Sequence, residues 1–464
     1  MAGLRLPEDS GRGGSVSHLR ASTFPEAAVR ARARTGAPAA FADSEEYGRA
    51  LFGQTPADNG RLTDWLEDLR LVPPVFVPHR LDKLIELGRE PTFRDVDLST
   101  TIGGFRSALP LYLSAFGSTK VASVDLGLAA SRQAGWLGIP MVVGENVLRV
   151  NGFGRDEEDA EGSMLARIRA YADGALDGYG GVVVQQSTED ADAEVWNLVY
   201  SDPNAHHLLE TGRLAFELKV GQGAKPGLGG MTLLDPVSAA RLADSYTMVP
   251  VGAASAVDGA AGYELLDDGG GSAADGVGGQ RAAQPDRTVL RCCSPGTFTE
   301  EILRQQVRLM RNNFPRARIW VKLPPSRDVR AAAVVAWQAG ADAVTVDGAE
   351  GGTGWAPTAF LEHVGLPLGE CLRRIGAPEG CLLVSGRMWE GSRVTKSLAL
   401  GASAAGLGRA ALIAVDADPM CGLVNLVECL ALELRMLFSA LGKYCVAALS
   451  GEDVWSPDGG FEPR

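Results

Sequence analysis

Long apolar runs are absent from this sequence: no stretch reaches the ~18 uninterrupted apolar residues that a membrane span requires. The nearest, Leu398 to Val415, is rich in Gly and Ala and is broken by Arg409. The opening MAGLRLPEDSGRGG has no apolar signal core. Basic charge is in deficit, with 44 Lys and Arg against 57 Asp and Glu and a net charge of −13. That argues against a protein that coats nucleic acid or an anionic membrane, because both need a basic surface. Small anions are not excluded, since a local pocket of Lys, Arg and backbone N–H can hold them. Cysteine is scarce, seven in 464 residues and unevenly spaced, which fits reduced thiols. The expectation is a cytoplasmic protein with no membrane and no nucleic-acid partner. Residue 2 is Ala, so no Cys is placed to become an N-terminal nucleophile.

What is present suits a large globular domain with an N-terminal addition: 45% apolar and 22% charged residues. Residues 1–40, rich in Arg, Ala, Gly and Ser with little periodicity, read as a mobile or loosely docked arm. Residues 41–95 read as a short helical module, marked by Pro73, Pro74 and Pro78. Over 96–450, short β-rich runs alternate with helical patterns, and 451–464 form a tail. The candidate strands are 109–116, 139–145, 180–186, 215–221, 318–324, 342–348, 381–386 and 404–408. Helical patterns between them include Glu300 to Asn313, Val329 to Ala339 and Val394 to Leu400. Fully apolar strands separated by helices predict a parallel sheet covered on both faces. Eight such units favour an α/β fold of the (β/α)₈ TIM-barrel type over an open doubly wound sheet. Ala253 to Arg287 contains DDGGGSAADGVGG and reads as a flexible insertion after strand four, either a lid or a surface loop.

LKVGQGAKPGLGG, Leu218 to Gly230, carries the strongest chemistry. Five glycines at a strand end let the backbone approach a ligand closely. Lys219, Gln222 and Lys225 stand among them as donors for a carboxylate or a carbonyl-rich ligand, with no Asp or Glu inside the loop. Loops after strands seven and eight of such barrels commonly bind phosphate. Here they hold Ser385, Gly386, Arg387, and Gly406, Gly408, Arg409.

GQGAKPGLGG resembles the signature of the FMN-binding domain of the glutamate synthase family. VDGAEGGTGWAPTAFLEHVGLPL (346–368) resembles that family's segment after strand six, and LLVSGRMWEGSRVTKSLALGASAAGLGRAALIA (382–414) its phosphate region. SAFGSTK (114–120) is similar to its first flavin-contacting turn. The resemblance covers about residues 95–450, and the chain is similar to stand-alone FMN subunits, including that of N-methylglutamate synthase. It implies FMN held by Ala115, Phe116, Gly117, Lys322, Asp347, Gly348, Gly351, Gly352, Thr353, Ser385, Gly386, Arg387, Gly406, Gly408 and Arg409. Lys322 would neutralise the reduced flavin or pair with an acid in the barrel mouth. The implied reaction is reduction of a 2-imino acid, formed from 2-oxoglutarate and ammonia or an amine, to an amino acid. Lys219, Gln222 and Lys225 would hold its carboxylates. Glu145 would move the proton at the imine nitrogen, because a carboxyl beside an apolar flavin face has a raised pKa.

Departures from the family pattern are informative. Gly144-Glu145-Asn146-Val147 stands where the family has Gly-Glu-Gly-Gly. Arg387 and Arg409 stand where it has Gly and Thr, so two guanidinium groups either clamp the phosphate or face outward. Family members with an iron–sulfur cluster place three cysteines after strand eight, whereas VDADPMCGLVNLVEC offers Cys421 and Cys429, with Cys445 farther on. No cluster is expected, and Cys292-Cys293 reads as packing. Neither a Cys-type glutaminase domain nor a G-x-G-x-x-G dinucleotide unit is evident. A glutaminase-type partner and other subunits or free ammonia, with an external electron donor, are the expectation. Two alternatives remain: a flavoenzyme of the same fold with a different specialised substrate, and a flavin-free scaffold subunit. His206-His207 follow Asp202-Pro203 in an expected turn, and His363 reads as structural.

Overall fold

The structure is a computed structural model. It describes residues 24–37, 64–116, 125–144, 164–187, 193–221, 223, 227–229, 231–234, 240, 243, 246–251, 288–292, 295–351, 360 and 363–457. Eight parallel strands close into a barrel: β1 Leu111–Phe116, β2 Met141–Val143, β3 Val182–Ser187, β4 Leu214–Lys219, β5 Arg318–Leu323, β6 Ala343–Asp347, β7 Leu382–Ser385 and β8 Ala404–Leu407. Each candidate strand of the sequence supplies one of them, and closure runs through β8 pairing with β1. No helix among the described residues is long and apolar enough to cross a membrane.

Side-chain alternation sorts the barrel into two cores. Phe216, Leu218, Ile319, Val321, Val344, Val346, Leu382 and Val384 face outward into the layer beneath the helices. Tyr112, Val142, Val183, Ala215, Trp320, Ala343, Leu383 and Ala404 face the barrel axis. The covering helices follow ordinary rules. Glu300–Asn313 is capped by the Thr299 hydroxyl, which accepts from Ile302 N, carries Glu300 and Glu301 in its first turn, and buries Leu303, Val307 and Met310. Val329–Ala339 ends at Gly340 in a left-handed conformation.

A hairpin of Thr100–Ile102 and Phe105–Ser107 plugs the N-terminal end of the barrel. Its turn residue Gly103 has φ 54°, and its carbonyl accepts from Trp320 Nε1 at 3.0 Å. A side chain at Gly103 would run into the Trp320 ring, so only glycine allows the turn to approach this closely.

Three features differ from the sequence reading. Residues within the stretch read as an arm form a helix, Glu26–Thr35. It is seated on the barrel by Arg30 to Asp416 at 2.7 Å and by Arg32, which donates to Glu433 at 2.6 and 2.9 Å. Buried Val29 and Ala33 supply the apolar contact that the Arg-rich composition hid. The segment after β4 includes a three-stranded antiparallel sheet, Met231–Leu234, Thr288–Cys292 and Thr247–Val251 in that spatial order. The low-complexity stretch read as an insertion lies outside the described residues. His206 and His207 sit in a helix, Pro203–Glu210, capped by Asp202. His207 Nε2 lies 3.1 Å from Arg213 Nη2.

Candidate active site

The inward faces of β4 to β7 carry polar residues toward their C-terminal ends. Lys219 and Glu217 share the face of Ala215, Lys322 that of Trp320, Thr345 and Asp347 that of Ala343, and Ser385 that of Leu383. All six are buried. Lys322 Nζ meets Asp347 Oδ2 at 2.8 Å, and Ser385 Oγ donates to Asp347 Oδ1. The ion-pair reading of Lys322 is therefore the observed one, and Asp347 fixes its ammonium at the barrel mouth. One layer deeper, Glu217 accepts from Gln185 Nε2 at 2.5 Å and from Thr345 Oγ1 at 2.9 Å. Burial pushes the Glu217 carboxyl above its ordinary range, against the opposing pull of Lys322. Burial, followed by the charges of Asp347 and Glu217, drives the Tyr112 phenol well above its usual value. Reading the strands as apolar runs missed this layer. An acid inside the otherwise apolar β4 was the available signal.

Ala115 packs against the interior group where β1 is irregular between Leu113 and Phe116. Gly406 lies so close to Ser114 and Tyr112 that a Cβ would collide with both. At the ends of β7 and β8 the backbone is unusual: Gly386 has φ 138° and Arg387 has φ 52°. Arg387 Nε is buried with no hydrogen-bond partner among the described residues. Burial lowers the Arg409 pKa, and the nearby charge of Arg387 lowers it further. Arg409 Cζ lies 5.6 Å from the centroid of the Phe24 ring, so the N-terminal segment helps to bury this cation. Two guanidinium groups that repel one another, one with an orphaned donor, form a locus for an anion.

Glu145, Gln222, Lys225, Gly117, Gly352 and Thr353 lie outside the described residues. Among the described ones, the barrel brings together Ala115, Lys219, Lys322, Asp347, Ser385, Gly386, Arg387, Gly406, Gly408 and Arg409 at its C-terminal end. Gly348 and Gly351 join them at the end of β6. Cys421 precedes a long helix, Gly422–Ala440, in which Cys429 is buried with its thiol pushed up to about 11, chiefly by burial. Among the described residues no group of three or more His, Cys, Asp and Glu side chains could hold a metal ion. His363 is exposed.

Comparison with known proteins agrees with the motif reading. Residues 293–431 match the family described as "Conserved region in glutamate synthase". A glutamate synthase large subunit-like protein of Rhizobium meliloti is 35% identical over 216 residues, 44% of this chain and 40% of that protein. An archaeal-type glutamate synthase [NADPH] of Dehalococcoides mccartyi is 30% identical over 216 residues, 45% of this chain and 36% of that protein. The chain thus matches well under two thirds of the length of these relatives. Among solved structures, an oxidized active mutant of (S)-mandelate dehydrogenase superposes with a TM-score of 0.52 at 16% identity, covering 93% of this chain and 99% of that one. A mutant flavocytochrome b2 with pyruvate bound gives 0.51 at 16% identity, covering 92% and 82%. At that identity the likeness concerns the fold.

Proposed function

We propose that this chain, which carries a glutamate-synthase-family domain on a (β/α)₈ barrel, is an FMN-dependent oxidoreductase. Its reaction is reduction of a 2-imino acid, formed from 2-oxoglutarate and ammonia or an amine, to the amino acid. The observation that carries the reading is the Arg387 and Arg409 pair at the ends of β7 and β8. A mononucleotide phosphate would accept from the Arg387 Nε, which has no partner among the described residues, and would relieve the repulsion between the two cations. Gly408, beside which a Cβ would meet nothing nearer than Ser114 Cβ at 3.8 Å, leaves room for a ligand at that end of the barrel, so the residues present fit the group. When bound, FMN would supply hydride transfer to the imine carbon.

The chain's own residues hold the reactants. Lys219, on the inner face, and Gln222 and Lys225 in the loop after β4 bind the substrate carboxylates. Lys322, fixed by Asp347, offers positive charge to the electron-rich edge of the cofactor. Glu145 holds or delivers a proton at the imine nitrogen. Ammonia and electrons come from partner chains or free donors, in the cytoplasm, and no iron–sulfur cluster takes part. Arg387 and Arg409 in place of the family's smaller residues favour a stronger hold on phosphate.

The test is direct. Flavin released by heat from purified protein and identified by chromatography should be FMN in stoichiometric amount. FAD overturns the FMN reading, and no flavin even after reconstitution with FMN overturns it and leaves the scaffold alternative.

A further inference from the structure

The turn after β7 is braced by a buried charge cluster assembled from three distant parts of the chain. Its hub is Arg393, on helix Gly391–Ala399. This guanidinium is 1% exposed. Its Nε donates to the Gly386 carbonyl at 2.8 Å. Its Nη2 donates to Asp64 Oδ2 at 2.7 Å and to Glu350 Oε1 at 2.5 Å, and its Nη1 to Glu67 Oε1 at 2.6 Å. The carboxylates are anchored in turn: Glu350 accepts from Leu368 N at 3.1 Å, and Asp64 from Gly369 N at 2.9 Å. Asp64 and Glu67 belong to the N-terminal module, Glu350 follows β6, and Arg393 follows β7.

Little slack separates the cluster from the turn. A Cβ on Gly348 would collide with the Glu350 carboxylate, and one on Gly386 would lie 3.1 Å from Glu350 Oε1. A Cβ on Gly351 would lie 3.2 Å from the Gly386 Cα. Movement of the cluster therefore moves Gly386 and, with it, Arg387. Burying ions in this way adds little net stability compared with apolar packing of the same volume. What the cluster does provide is fixed direction, because a planar guanidinium with five donors holds four acceptors at once. A lysine, with a compact ammonium, has no such fork.

We propose that Arg393 is a positioning residue for the phosphate turn, and that Asp64 of the N-terminal module completes its seat. Through the Gly386 carbonyl, Arg393 sets where the turn and Arg387 meet the anion. The N-terminal module is then a working part of the cofactor site. The inference rests on the FMN reading given above.

The experiment compares FMN with riboflavin, which has the same ring system and no phosphate. Dissociation constants for both are measured by flavin fluorescence on apoprotein of the parent, Arg393→Lys and Asp64→Asn. The parent should prefer FMN strongly. Arg393→Lys should lose about tenfold or more in FMN affinity while riboflavin changes by less than about twofold, so that the preference collapses. Asp64→Asn should lose part of it. Parental preference retained in both variants, or an equal loss for both flavins, overturns the inference and makes the cluster a matter of folding alone. If Arg393→Lys does not fold by circular dichroism, Glu67→Gln, at a carboxylate 42% exposed, takes its place beside Asp64→Asn under the same criteria. A parent without preference for FMN instead removes the phosphate site itself, and the inference with it.

Discussion

Replacing Arg387 by Gly would remove a guanidinium and a strained backbone at one residue, with opposite effects on stability and on binding. Arg387 is the one non-glycine residue with positive φ among those described, at 52°. An L residue in that region costs about 1–2 kcal/mol, partly offset by roughly 0.5–1 kcal/mol of extra unfolded-state entropy for Gly. The buried Nε, without a partner among the described residues, adds a penalty of about 1–3 kcal/mol. Together these make the Gly variant more stable as apoprotein by on the order of 2 kcal/mol. Release of the repulsion on Arg409 acts in the same direction. Binding changes the other way. A lost charge-assisted bond to phosphate costs about 1.5–3 kcal/mol, roughly ten- to more than a hundredfold in FMN affinity. Urea unfolding of the apoprotein and of the FMN-saturated protein would read both terms. The midpoint should rise without FMN, and the further increase that FMN confers should shrink. An apoprotein that loses stability while FMN affinity stays parental would refute the reasoning and make Arg387 a structural residue.

Other outcomes follow from the same geometry. Lys225→Met should weaken 2-oxo acid binding by about ten- to a hundredfold with FMN retained, and Lys219→Met should also slow flavin turnover; parental kinetics in both variants would show the loop to be structural. Burial, and then the charge of Asp64, pushes the Glu350 carboxyl up to about 7 from 4.5, against the pull of Arg393. A raised acid contributes its stability below the unfolded pKa and loses it as pH rises through the folded value, so stability should fall between about pH 4.5 and 7 and level off above that. Glu350→Gln should flatten that fall, by at most roughly 3 kcal/mol, and an unchanged pH profile would contradict it. Gly103→Ala should destabilise by about 2–4 kcal/mol, combining a positive φ with overpacking against Trp320; a neutral effect in thermal unfolding would show that the plug can shift.

The barrel was legible because its strands are short apolar runs separated by helices with ordinary caps, and a parallel sheet covered on both faces has no other pattern. The helices Glu300–Asn313 and Val329–Ala339 appear at the expected bounds for the same local reasons. The plugging hairpin was not legible, since Thr100 to Ser107 is too short to show a period and its register depends on contact with Trp320. The sheet formed by Met231–Leu234, Thr247–Val251 and Thr288–Cys292 joins strands far apart in sequence. At the site, Lys219 and Lys322 were recognisable from their place at strand ends. Arg393 was not, because its partners Asp64 and Glu67 lie more than 300 residues away and nothing local marks them. Glu217 was passed over inside an apolar run, although a lone acid there requires a partner.

A single-turnover experiment puts the proposed chemistry to the sharpest test. The protein, loaded with FMN and reduced under anaerobic conditions, is mixed with 2-oxoglutarate and ammonium while the flavin absorbance is followed. Reoxidation with formation of one glutamate per flavin is the expected result. Flavin that stays reduced with 2-oxoglutarate and ammonia or methylamine, in protein that holds FMN stoichiometrically, would contradict it.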